Sequence, residues 1–210
     1  MEPIVTGQKY NKIADWWNEK HCQSEYGMPQ IKRAVKYCTN KHFVLDVGCG
    51  SGGRVINYLE ENGFNVTGID MSSRMIELAK ANHPNTQIHF GDITNWKTDK
   101  KFDLIIAWDS IFHLPSSKQA TAIDNMCSML NQDGVIIYTF GDGNGDHEDK
   151  SFDDGNGGQF GDLNNDFFGY GSIGISNNLN VLMKNKCKIM HLECDQYPQG
   201  HVYIIGKKEV

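Results

Sequence analysis

The sequence predicts an α/β fold: a seven-stranded, mostly parallel sheet with helices on both faces and an antiparallel C-terminal strand. Three observations predict it. From Phe43 onward, short apolar runs of strand length alternate with stretches of helical period. A glycine-rich turn, Gly48 to Gly53, joins the first of those strands to the helix that follows. The last two strand-like runs are separated by a loop too short for a parallel crossover, which needs a dozen residues or more, so they must pair antiparallel.

Each element has its own signal. Ile13, Trp16 and Trp17 share one helix face. Ile31, Ala34, Val35 and Cys38 share another, with Pro29 at its start. Residues 1–40 therefore read as two leading helices. Phe43 to Val47 is a buried strand, and the helix after the glycine turn carries Val55, Ile56 and Leu59 before stopping at Asn62-Gly63. Phe64 to Ile69 is the second strand. Ser72 or Ser73 caps a helix bearing Met75, Ile76 and Ala79. Gln87 to Phe90 is a short strand. Phe102 to Trp108 is apolar on both faces, as a central parallel strand must be. Ala120, Ile123, Cys127 and Leu130 mark a helix, and Val135 to Phe140 the next strand. A helix around Asn177 to Met183 precedes the closing strands, Lys188 to Glu193 and Val202 to Gly206.

Composition narrows the function. The 210 residues suit a single domain with a core of its own. Lys plus Arg is 20 and Asp plus Glu 26, a net charge of −6, with no basic stripe to neutralise phosphates, so nucleic acid is disfavoured as a substrate. No apolar run approaches the ~18 residues of a membrane span, and no signal peptide is visible. Six scattered cysteines without a Cys-x-x-Cys pair fit a reducing cytoplasm.

The turn after the first strand, Val44-Leu-Asp-Val-Gly-Cys-Gly-Ser-Gly-Gly53, carries G-x-G-x-x-G at Gly48, Gly50 and Gly53. Its place between a strand and a helix is where a nucleotide-type ligand meets backbone N–H groups. Asp70 ends the second strand, where a carboxylate can accept both ribose hydroxyls. Two kinds of cofactor share this layout. A nicotinamide dinucleotide brings a pyrophosphate, which the acid Asp46, two residues before Gly48, would repel. A sulfonium cofactor with a cationic amine would favour that acid. Tyr37 and Lys41 have dehydrogenase Tyr-x-x-x-Lys spacing but precede the nucleotide motif, so the match is chance.

As a set, these segments resemble the class I S-adenosylmethionine-dependent methyltransferases. Val44 to Gly53 looks like their motif I, Thr67-Gly-Ile-Asp70-Met-Ser-Ser like their acidic ribose-binding motif, and Phe90-Gly-Asp92-Ile like their adenine-contacting motif. Phe102 to Asp109 and Leu130 to Tyr138 resemble their fourth and fifth strands, so the resemblance covers roughly residues 40 to 140 in motif order. Tyr10-Asn-Lys-Ile-Ala-Asp-Trp resembles the leading helix that caps the cofactor in small-molecule members. The resemblance implies a Rossmann-like fold and S-adenosylmethionine as cofactor, with S-adenosylhomocysteine as product. It implies that Asp46, Gly48 and Gly50 face the methionine moiety, flanked by Ala107 and Trp108. Asp70 would hold the ribose with Met71 against adenine, and Asp92 the adenine amino group beside the Ile93 backbone. The Asp/Asn-Pro-Pro-Tyr/Phe motif of nucleic-acid methyltransferases is absent; Trp108-Asp-Ser-Ile-Phe-His-Leu-Pro115 stands there, pointing to a small-molecule acceptor. The rival readings are an NAD-dependent oxidoreductase and a non-catalytic S-adenosylmethionine-binding module.

Asp109 and His113 follow a strand's carboxyl end, so they are the catalytic candidates, His113 as general base. His147 is a weaker candidate, and His191 and His201 read as structural parts of the last strands. Tyr10 and Trp16 are candidates to line the acceptor pocket, whereas Trp17 reads as packing. Residues 141–170 hold eight glycines, eight acids and Lys150, and read as one structureless loop. Asp142-Gly-Asn144-Gly-Asp146 opens like a calcium loop, but His147 and Asp153 occupy its sixth and twelfth positions, so no metal is expected. Two readings of the loop stay open: a solvated surface segment, or a lid whose field draws in a cationic acceptor.

Overall fold

The computed structural model describes residues 2–149 and 168–209. Its elements run α1 (Pro3–His21), α2 (Met28–Tyr37), β1 (Phe43–Val47), α3 (Gly53–Glu61), β2 (Asn65–Asp70), α4 (Ser73–Asn82), β3 (Gln87–Phe90), β4 (Phe102–Ala107), a 3-10 turn (Ile111–His113), α5 (Ser116–Ser128), β5 (Leu130–Gly141), β6 (Asn144–Asp149), β7 (Phe168–Ile173), α6 (Gly174–Lys184), β8 (Cys187–Cys194) and β9 (His201–Lys208). Seven strands form one sheet in the order β3-β2-β1-β4-β5-β9-β8. The first five pair in parallel, and β9 lies antiparallel between β5 and β8. The strand order reverses direction between β1 and β4, so the carboxyl ends of those two strands open a crevice.

Alternation along each strand decides what faces each side. Leu45, Ile105, Ala107 and Ile136 pack with Ile123 and Met126 of α5. Val44, Leu104, Ile106 and Trp108 pack on the opposite face with Ile31 of α2 and Ile56 and Leu59 of α3. Because β4 is buried along its whole length, it reads as an unbroken apolar run. Ser72 caps α4, its hydroxyl accepting from the Met75 N–H at 3.1 Å. The α5 stripe is Ala122, Ile123, Met126 and Cys127; Leu130 belongs to β5, not to the helix as its spacing suggested. No helix among the described residues is long and apolar enough to cross a membrane.

One expectation is overturned. Residues 141–170 are not structureless throughout: β6 and β7 pair as an antiparallel ribbon from Asn144↔Ile173 to Asp149↔Phe168. Composition hid these strands: β6 is wholly polar and glycine, and in β7 the alternation of Phe168 and Tyr170 is broken up by Gly169 and Gly171. The ribbon sits against the segment after β4. Gln119 donates its Nε2 to the Gly171 carbonyl, and the Ser116 N–H donates to Asp146 Oδ1 at 2.6 Å. Residues 150–167, with four of the eight acids, Asp153 among them, lie outside the described residues.

Candidate active site

The glycine turn is held from below by β2. Gly48 and Cys49 both donate their N–H to the Ile69 carbonyl, at 2.8 and 3.2 Å, and Gly52 donates to Cys49 O at 3.0 Å. Gly50 donates to Asp70 Oδ2 at 2.8 Å, while the other Asp70 oxygen accepts from Ser72 N–H at 2.8 Å. Gly48 has φ +71°, and a Cβ there would stand 2.3 Å from Ser110 Cβ, so both backbone and neighbour demand glycine. Each Asp70 oxygen keeps acceptor capacity beyond the backbone bond it already makes. Burial pushes the Asp70 carboxyl up, against the backbone hydrogen bonds that favour its charge.

Asp46 leaves β1 into the same cleft and is buried. Among the described residues no donor reaches its carboxylate. Burial, and then the charge of Asp70, raise it to about 7, while Arg54 pulls the other way. Asp92 and Ile93 form the third edge; the Asp92 side chain accepts from Thr94 N–H at 2.9 Å and shapes the turn that starts there. Three further polar atoms of cleft-lining residues are buried without a partner among the described residues: Thr6 Oγ1, Ser110 Oγ and Trp108 Nε1. An unpaired buried polar group costs about 1–3 kcal/mol.

Helix α1 forms the roof. Gly7 lies so close to the β2–α4 turn that a Cβ would sit 2.2 Å from Met71 O. Asn11 holds that turn, accepting from the Ser72 hydroxyl at 2.7 Å and Arg74 N–H at 3.0 Å. Thr6, Gly7, Tyr10, Trp17 and His21 line the cleft from this side. Trp17 stacks on His21 with ring centroids 4.1 Å apart. Arg54 ties the start of α3 to the segment after α1, donating to Tyr26 O at 2.7 Å and His21 O at 3.1 Å.

The floor opposite holds both catalytic candidates. The Tyr10 hydroxyl is 2.9 Å from His113 Nε2, and His113 Nδ1 is 3.3 Å from Gly169 O of β7. A carbonyl only accepts, so Nδ1 donates and neutral Nε2 accepts from Tyr10. Burial lowers the His113 imidazole to about 4, which keeps it neutral at pH 7. Asp109 follows β4 with φ +49°, a strained backbone for a residue with a side chain, fixed by its N–H bond to Thr139 Oγ1 at 2.8 Å. Its Oδ1 lies 2.9 Å from Nε2 of His201.

The cleft thus gathers Asp46, Gly48, Gly50, Asp70, Met71, Asp92, Ile93, Trp108, Asp109 and His113 from the sequence candidates. Ala107 is the exception: strand alternation points it into the α5 face, where it is fully buried away from the cleft. Trp17 is corrected the other way, since it lines the cleft instead of only packing; Trp16 does not. His201 is corrected too, being bonded to Asp109 rather than serving the strand alone. The His147 side chain lies outside the described residues. Thr6, Gly7, His21, Arg54 and Ser110 carried no signal in the sequence, because each reaches the cleft only through the docking of α1 or the tertiary turn after β4.

The family described as a methyltransferase domain matches residues 44–134. Protein 235L of Invertebrate iridescent virus 6, which carries a methyltransferase name, is 40% identical over 131 residues, 61% of this chain and 45% of the viral protein. A trans-aconitate 2-methyltransferase of Shigella flexneri is 30% identical over 131 residues, 60% of this chain and 51% of its own. The chain spans about half the length of these relatives. A solved S-adenosylmethionine-dependent methyltransferase from Clostridium acetobutylicum shares the fold with TM-score 0.70 at 17% identity, over 96% of this chain and 100% of that one. Residues 44–134 thus match the methyltransferase-domain family, and the chain shares the fold of a solved S-adenosylmethionine-dependent methyltransferase.

Proposed function

We propose that this chain binds S-adenosylmethionine and transfers its methyl group to a small-molecule acceptor. The observation that carries the reading is the buried Asp46 carboxylate, which no donor among the described residues reaches. A cationic ligand group is the partner such a carboxylate lacks. A dinucleotide fits poorly. The N–H groups of Gly48, Cys49, Gly50 and Gly52 are already spent on protein acceptors, so the turn offers a pyrophosphate little beyond the adjacent acid. When bound, S-adenosylmethionine supplies an electrophilic methyl group on cationic sulfur. Asp46 with Gly48 and Gly50 would hold its amino-acid end, Asp70 the ribose, and Met71, Asp92 and Ile93 the adenine. Asp109 and His113 are the groups placed to take or hold a proton of the acceptor, His113 through Tyr10.

The acceptor read here is cationic or neutral. Asp46, Asp70, Asp92 and Asp109 line the cleft against one guanidinium, Arg54, which already serves two carbonyls. Tyr10, Trp17 and Trp108 add aromatic faces that attract cations. The same acid excess weighs against nucleic acid as a partner. Residues 1–210 are read as one domain, with 1–40 as its cap. The setting read here is the cytoplasm, where Cys127 and Cys187 can stay reduced with their sulfurs 3.9 Å apart. The test is calorimetry with S-adenosylmethionine, S-adenosylhomocysteine and NAD, then a metabolite panel with labelled methyl donor. Binding of NAD alone, or cofactor binding without turnover of any acceptor, would reject the enzyme reading.

A further inference from the structure

His201 on β9 stands between two carboxylates. Its Nε2 is 2.9 Å from Asp109 Oδ1 and its Nδ1 is 2.5 Å from Asp195 Oδ1. Ionised carboxylates only accept, so the imidazole donates from both nitrogens and is an imidazolium. The group is well enclosed: the side chains of Asp195 and His201 are 6% and 13% exposed, against 23% for Asp109 at the cleft. Asp195 is pinned independently, its Oδ2 accepting from Gln30 Nε2 at 2.8 Å, while the hairpin bond from Asp195 N–H to His201 O holds the pair in register. The chain therefore runs from α2 through the last hairpin to the one member that opens on the cleft. Asp109 itself sits in the left-handed region, a conformation that persists only when its surroundings over-determine it.

We infer that His201, anchored by Asp195, is a positioning residue that presents the Asp109 carboxylate to the ammonium or hydroxyl of the methyl acceptor. This rests on the methyltransferase reading for the word acceptor, but the arrangement is a property of these residues alone. The imidazolium fixes Asp109 Oδ1, the Tyr26 hydroxyl is a second hydrogen-bond partner of the carboxylate, and Asp109 lines the cleft. The charged and titratable groups that also feel Asp109 are Arg54, Tyr10, Tyr26, His21 and His113. The carboxylates acting on His201 are Asp109 and Asp195, and both hold its proton against the burial that would remove it. An acceptor that carries a mobile proton would deliver that proton to Asp109, leaving the bridge intact.

Two readouts test this without turnover. The first is NMR of the His201 ring in the free protein, assigned by His201→Asn. In Asp109→Asn and in Asp195→Asn the His201 midpoint should fall, since one of the two carboxylates that hold its proton is gone. The second is binding of benzylamine, benzyl alcohol and benzoate to protein saturated with S-adenosylhomocysteine, followed by tryptophan fluorescence. Benzylamine should bind in preference to benzoate and weaken by about tenfold in His201→Asn and Asp109→Asn. His201→Gln, whose amide can still donate to Asp109, should restore most of that affinity. Should His201→Asn not fold, Asp195→Asn serves, and should weaken benzylamine in the same direction. A folded Asp109→Asn protein with an unchanged His201 midpoint overturns the inference, as does wild-type protein that binds benzoate as well as benzylamine. Loss of the cofactor reading would show instead as wild-type protein that fails to bind S-adenosylhomocysteine, with the free-protein NMR result standing.

Discussion

The Tyr10 hydroxyl donates to His113 Nε2 at 2.9 Å, joining the roof helix to the turn after β4 across 103 residues of sequence. Gly169 O on the other ring nitrogen fixes the tautomer, and Tyr170 packs on the same ring at 5.2 Å. A neutral His113 at pH 7 is therefore an acceptor for the Tyr10 proton, not a free imidazolium. His113→Ala should lower turnover of a proton-bearing acceptor by roughly 10²–10⁴-fold while leaving S-adenosylhomocysteine affinity unchanged. Tyr10→Phe should act in the same direction by removing the hydroxyl between acceptor and ring. With the imidazole already down at about 4, no activity change assignable to His113 should occur between pH 6 and 8. Rate–pH profiles beside calorimetry check this, and lost cofactor affinity with normal turnover would make the pair structural.

Asp46 links cofactor affinity to pH. In the free protein its carboxyl is raised to about 7 from 3.8, so the folded state holds a proton that the unfolded chain has already released. The contribution of this group to stability is thus greatest at low pH and declines as pH rises from about 4 to 7. Asp46→Asn removes that cost, and the free protein should melt higher at pH 8; 1 kcal/mol corresponds to roughly 2–4 °C for a domain of this size. The same substitution should weaken S-adenosylmethionine. In the wild type, affinity should fall as pH drops below about 7, approaching tenfold per pH unit, because the cation must then displace a proton. Scanning calorimetry and binding isotherms from pH 6 to 8 measure both effects, and an affinity flat across that range would remove Asp46 from the cationic end.

Asp70 serves the protein and the ligand at once. Asp70→Ala should weaken S-adenosylhomocysteine by about 1.5–3 kcal/mol, roughly 10–150-fold, for loss of charge-assisted bonds. It should also lower the melting temperature, since the Gly50 and Ser72 N–H groups lose their acceptor. Asp70→Asn keeps one acceptor oxygen and should recover part of the melting temperature with less of the affinity.

What the sequence made legible follows from local rules. The parallel core from Phe43 to Phe140 could be read because buried strands are continuous apolar runs and each helix between them has a stripe, a cap or a glycine stop. The glycine turn, Asp70 and Asp92 stand within or next to strand ends, so local spacing located them. Ala107 and Trp108 show the limit: adjacent residues on one strand point to opposite faces, and only pairing with β1 and β5 settles which face meets the cleft. The β6–β7 ribbon was hidden by the polar residues of β6 and the glycines of β7. His201 was hidden by distance, since nothing near residue 201 signals that β9 inserts beside β5 and brings it to Asp109.

The sequence showed α1 as a helix and, by resemblance, as a cap, but not where it touches the sheet, and that contact point supplies a last prediction. Gly7 faces the Met71 carbonyl, and an added Cβ would lie 2.2 Å from that oxygen, 2.6 Å from its carbon and 3.0 Å from the Met71 Cβ. Backbone atoms cannot yield as a flexible side-chain end can, so Gly7→Ala must tilt or lift α1. Helix propensity works in the opposite sense, favouring Ala over Gly by about 0.8–1.0 kcal/mol in a helix interior. The two effects separate by location. Thr6, Tyr10 and Trp17 would be drawn off the cleft, so S-adenosylhomocysteine affinity should fall, and Tyr10 should part from His113. Helix content should be unchanged, because α1 gains intrinsic propensity as it loses its seat. Hydrogen exchange should therefore speed up for amides of the 70–75 turn that Asn11 holds, with far-ultraviolet circular dichroism constant. An affinity equal to that of the wild type, with unaltered exchange at 70–75, would mean that α1 can shift over Met71 without opening the cleft.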